Sequence, residues 1–187
     1  MEKEQRICGL FARLLDYPTE GPLPAAEKCI DLLGADRPEA ALELLPFVRM
    51  AGDSRLEKLQ EVYTATFDLQ PLCHPYVGYQ LCGEGRQRAQ FLVKLQEIYR
   101  EKGHAAGGDL ADHLVEVLRF LALPGEETAR RELVEEGLLP ALKKMTDGFD
   151  KPEHPYGRML RSLQIFLSGE SAGCTGAQPE PTLEARP

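Results

Sequence analysis

Asp53-Ser54-Arg55-Leu56-Glu57-Lys58-Leu59-Gln60-Glu61-Val62-Tyr63-Thr64-Ala65-Thr66-Phe67 decides the fold class. Leu56, Leu59, Val62, Tyr63 and Phe67 recur at the 3.6-residue period of a helix with one apolar face. Asp53 or Ser54 is placed to cap the first turn, where a short oxygen-bearing side chain accepts from orphan backbone N–H groups. The alternation of a half-buried strand is missing, so the segment predicts a helix.

The same period continues upstream. Ile7, Leu10, Phe11, Leu14 and Leu15 predict a helix from about Lys3 to Asp16, stopped by Pro18. Pro24 opens a second helix toward Leu33. Asp36, with Pro38 in the first turn, starts a third that carries Leu42, Leu45 and Phe47 and ends at Gly52.

Downstream, Pro71 and Pro75 forbid continuous helix between Asp68 and Gly83, while the aromatic and apolar content there predicts an ordered, buried loop. A long helix follows from Glu84 to Lys102, with Phe91, Leu92, Leu95, Ile98 and Tyr99 on one face and Gly103 at its end. His104 to Gly108 reads as a flexible joint before Asp109 caps a helix carrying Leu110, Leu114, Val117, Leu118 and Leu121. A helix from Glu126 toward Met145 is expected to kink or break near Pro140, and a last one spans about Pro152 to Leu167. The expectation is an all-α, single-domain helical bundle over residues 1–167, with a disordered tail over 168–187 that has too few apolar side chains to offset ordering.

A chain of 187 residues can bury a core without covalent staples. Its five cysteines form an odd set with no CxxC pair, as expected of reduced thiols in a cytoplasmic protein. The first residues lead straight into helix without a secretory h-region, and no long uncharged apolar run predicts membrane insertion. With 22 basic and 30 acidic side chains the net charge is −8, which argues against nucleic acid and suits solubility or steering of a basic partner.

The search for chemistry yields little. Cys73, His74 and Cys82, with His113, are the nearest approach to a metal or small-ligand site, but their spacing matches no zinc pattern. Asp112-His113 offers a carboxylate beside an imidazole, although neighbouring helical residues face apart. Gly83-Glu84-Gly85-Arg86 lacks the lysine and length of a phosphate loop; Gly83 permits a sharp turn and Glu84 complements a helix dipole. No serine or cysteine nucleophile has a local signature, so no enzyme activity and no bound cofactor are expected.

Tyr63-Thr64-Ala65-Thr66-Phe67-Asp68, Pro71-Leu72-Cys73-His74-Pro75-Tyr76 and Gln80-Leu81-Cys82-Gly83-Glu84 together resemble the NarJ group, the nitrate reductase delta subunit, within the wider TorD/DmsD-like chaperones. Arg88-Ala89-Gln90-Phe91-Leu92, Asp112-His113-Leu114 and Phe120-Leu121-Ala122 extend the similarity, which departs from the family's common pattern at Cys82, Ala89 and Ala111. The resemblance implies an all-helical chaperone that binds the N-terminal leader segment of a molybdoenzyme's catalytic subunit until the molybdenum cofactor is inserted. Molybdenum cofactor biosynthesis proteins are further candidate partners, and the sequence leaves monomer and homodimer both open. Client-binding candidates are Tyr63, Phe67, Asp68, Tyr76, Tyr79, Gly83, Glu84, Asp112 and His113. The carboxylates among them would meet client Arg or Lys, and the aromatics would form apolar walls. The alternatives are the metal or ligand site at Cys73, His74, Cys82 and His113, and a permanent structural subunit of the reductase.

Overall fold

A computed structural model describes residues 2–69, 71–104, 107–125 and 127–172. Its helices are α1 (Glu2–Leu14), α2 (Leu23–Gly34), α3 (Pro38–Asp53), α4 (Leu56–Phe67), α5 (Val77–Cys82), α6 (Arg86–Glu101), α7 (Leu114–Leu121), α8 (Glu127–Glu132), α9 (Leu139–Asp147) and α10 (Pro155–Ala172), with a π-helical segment at Leu133–Leu138. The described residues contain no strand, only an isolated antiparallel bridge between Tyr76 and His113. The all-α expectation therefore holds for them.

The apolar stripes close on one another as α10 lies along α3, α2 beside α3, and α1 against α2 and α7. The centre of the core is aromatic. Tyr156 packs edge-on against Phe47 (5.4 Å), Tyr63 (5.9 Å) and Phe67 (5.1 Å), the ring geometry that their quadrupoles favour. A smaller apolar cluster of Leu95, Tyr99 and Ala111 joins α6 to the rest.

Several expected details differ. In α3 the buried positions are Ala40, Ala41, Leu44, Phe47 and Ala51, whereas Leu42 is 60% exposed and Leu45 also faces outward. The short alanines set the stripe there, because they let α2 and α10 approach closely. Asp36 pairs with Lys3 at 2.5 Å instead of capping α3, and Arg55, not Asp53 or Ser54, stands at the α4 N-cap. The stretch expected as loop between 68 and 83 contains α5.

Asp109 does not start a helix. The Val77 amide donates to the Asp112 carbonyl (2.7 Å) and the Leu114 amide to the Pro75 carbonyl (2.8 Å). These bonds hold the chain extended through His113, so α7 begins only at Leu114 and Leu110 is left outside. The break expected at Pro140 is the π segment, whose wider turn lets the Leu139 amide reach the Val134 carbonyl just before the residue that lacks an N–H. Gly103, at φ 67°, ends α6 as expected. Helix α10 runs on through Ala172, into the segment expected to be disordered; residues 173–187 of that tail lie outside the described residues.

Candidate functional site

The extended bridge between 75–77 and 112–114 brings the two halves of the sequence motif together. Tyr76 meets His113 edge-to-face at 5.1 Å. Beneath them Asp112 is fully buried, and both of its oxygens are taken by Arg88: Nε donates to Oδ2 at 2.8 Å and Nη2 to Oδ1 at 3.2 Å. This is the bidentate geometry in which a guanidinium binds a carboxylate best. Arg88 Nη1 also donates to Glu84. Its guanidinium carbon lies 5.1 Å from the Tyr76 ring centroid and 5.8 Å from that of Tyr79.

The result is a cage of two carboxylates and two phenol rings around one arginine, whose side chain is 8% exposed. The Asp112 hydrogen bonds hold the guanidinium still more firmly charged. Gly78 makes room for it: a Cβ there would stand 2.8 Å from both Asp112 Oδ2 and Phe91 Cδ1. Neither Arg88 nor Gly78 was among the candidate residues. The available signal was the Glu84-to-Arg88 spacing of four, which suits an ion pair on a helix.

The other candidates divide clearly. Tyr63 and Phe67 sit in the aromatic core, 5.0 Å apart, and burial pushes the Tyr63 phenol up in pKa. Asp68 is exposed at the end of α4, and Tyr79 is half-buried against His74 at 4.5 Å. Gly83 supplies the left-handed turn after α5 at φ 68°, and Glu84 is exposed. His113 Nδ1 lies 4.0 Å from Asp109 Oδ2 and finds no hydrogen-bond partner among the described residues. Burial lowers the imidazole's pKa, against the opposing pull of Asp109, so the neutral ring is favoured.

Beside the cage, beyond Phe91, an apolar trough of about 330 Å³ runs between α6 and the α8 to π segment. Phe91, Leu95 and Ile98 line one wall and Ala129, Leu133 and Gly137 the other. Lys94 and Glu132 face each other across it at 4.0 Å, both largely exposed and hence weakly coupled.

The metal alternative loses its geometry. Cys82 Sγ turns onto the Gly78 carbonyl at 3.0 Å, and burial pushes the Cys73 thiol up to about 12, away from the thiolate a metal requires. The described residues hold no group of three or more His, Cys, Asp or Glu side chains able to share a metal ion.

Fold and site thus define an all-helical protein with a filled cation cage and an adjoining apolar trough. The architecture matches that of a protein described as a redox enzyme maturation protein from Archaeoglobus fulgidus, with a TM-score of 0.57 and 21% identity over 88% of this chain and 93% of that one. In sequence, residues 31–152 match the model of the nitrate reductase delta subunit family. The chain is also 30% identical over 158 residues to a Bacillus subtilis (strain 168) protein named probable nitrate reductase molybdenum cofactor assembly chaperone NarJ, covering 82% of this chain and 84% of that protein. The chain belongs to the nitrate reductase delta subunit family.

Proposed function

We propose that this protein is an assembly chaperone for a molybdenum-containing oxidoreductase of the nitrate reductase type. In this reading it binds the N-terminal region of the catalytic subunit and holds it while the molybdenum cofactor, which belongs to the client, is inserted. It performs no turnover of its own and works in the cytoplasm. No helix among the described residues is long and apolar enough to cross a membrane, which fits that placement.

The observation that carries the reading, beside family membership, is the trough under α6. An apolar channel with charged rims suits an amphipathic segment laid in lengthwise, because the segment's apolar stripe leaves water while its polar flanks stay solvated. Asp68 and Asp109 are exposed near the adjoining Tyr76 face and supply a negative field for basic residues beside such a segment. Tyr76, Tyr79 and Glu84 border that face.

Calorimetric titration with a peptide of the catalytic subunit's N-terminal region tests the proposal. Saturable binding at one peptide per chain is expected. Absence of heat with the N-terminal peptides of every molybdoenzyme encoded alongside the protein rejects it.

A further inference from the structure

The cage around Arg88 is built for a guanidinium, yet the group it holds is the chain's own. Building on the chaperone reading above, we infer that Arg88 is an internal stand-in for a client arginine, and that an incoming arginine exchanges with it at Asp112, Tyr76 and Tyr79.

Three features support exchange over a permanent lock. Arg88 sits in the first turn of α6, which no described side chain caps, so the side-chain hold on this turn comes from the contacts of Arg88 with Asp112 and Glu84 and passes to whatever replaces it there. Directly upstream, Gly83 and Gly85 adopt φ 68° and 142° around Glu84, a joint that gives the turn freedom to swing. The Glu84 side chain is 71% exposed, so the cage is open to water on the side where Arg88 Nη1 is held. From Phe91 and Leu92 onward α6 is anchored by packing with Leu95, Tyr99 and Ala111, and the Tyr99 hydroxyl donates to the Ala111 carbonyl at 2.9 Å, so a release at Arg88 is confined to the first turn.

The energetics favour replacement over vacancy. Emptying the cage strands the fully buried Asp112 carboxylate, whereas exchanging one guanidinium for another keeps the bidentate pair and both ring contacts. An ammonium cannot reproduce the fork. The cage would therefore select arginine over lysine, and a docked client would release the start of α6 beside the trough.

Arg88→Ala is the test, with N-ethylguanidinium as the probe and ethylammonium as its control. The variant is expected to melt below the wild type, with N-ethylguanidinium raising its melting point saturably, ethylammonium leaving it unmoved, and neither cation moving the wild type. If the variant folds poorly, recovery of its helical circular dichroism by the same cation is the readout. A client N-terminal peptide containing arginine should bind Arg88→Ala at least about tenfold tighter than the wild type, and the gain should vanish when that arginine is glutamine. A variant with no guanidinium-specific response, or one that binds the arginine peptide no tighter than wild type, overturns the inference. If no client peptide binds either protein, the chaperone reading fails, while the N-ethylguanidinium titration still decides whether the cage is a guanidinium site.

Discussion

Replacing Asp112 by asparagine isolates the interaction that joins α6 to the bridge. The side chain keeps its volume, but the fully buried carboxylate that grips Arg88 at 2.8 and 3.2 Å becomes neutral. Removing one partner of a buried pair typically costs about 3–5 kcal/mol, because the other charge is left uncompensated. Arg88 retains Glu84 at its solvent end and the faces of Tyr76 and Tyr79, which places the expected loss near the lower bound, about 3 kcal/mol. For a chain of this size that corresponds to a fall in melting temperature of roughly 6–12 °C. Urea denaturation followed by circular dichroism measures it, with an unchanged slope identifying a loss of stability instead of a change in the unfolded state. The double variant Arg88→Gln/Asp112→Asn should lose clearly less than the sum of the two single variants, since no charge is then stranded. A cost below about 1 kcal/mol for Asp112→Asn, or strict additivity in the double variant, would refute the assignment of this pair as a tight buried bridge.

Four further outcomes follow from the same geometry. Ile98→Glu, on the trough wall, should keep its helical dichroism but weaken client-peptide binding by about tenfold or more in calorimetry, because it places a charge where apolar surface must be covered. Tyr156→Ala should cost about 3–5 kcal/mol in urea unfolding through loss of three ring contacts at the core centre. His113 has a folded-state pKa below its ordinary value of 6.5, so its stabilising contribution is present above that value and lost as the pH falls below it. Urea midpoints should accordingly drop on acidification through this range, less steeply in His113→Gln. Cys29 and Cys73, whose thiols burial raises to about 12, should resist alkylation in the native protein and label on unfolding, as peptide mass mapping would show.

The fold class was legible because helical periodicity is local: the stripe Leu59, Tyr63 and Phe67 needs only its own segment to be recognised, and all three are buried. What the pattern could not supply was the consequence of distant pairing. Asp109 has the chemistry of a cap, but the hydrogen bonds from Val77 and to Pro75 keep 112–113 extended and delay α7 to Leu114. Leu42 and Leu45 fit a helical stripe as well as Leu44 does; the close approach allowed by Ala40 and Ala41 chooses between them. At the site, sequence resemblance marked Asp112 and Glu84 as candidates to meet a client cation; that both contact Arg88 came into view only once α6 was placed over the bridge. A buried carboxylate and a solvent-facing one look alike in sequence; which of them can meet a client depends on what already occupies it.

Molybdenum content is the most direct test of the chaperone account. The catalytic subunit of the partner oxidoreductase would be purified from cells with and without this protein, and its bound molybdenum measured by mass spectrometry. The account predicts a subunit that accumulates without molybdenum in the deletion strain and regains it when the wild-type chain, but not the trough variant Ile98→Glu, is restored. A fully loaded subunit in cells that lack the protein would contradict it.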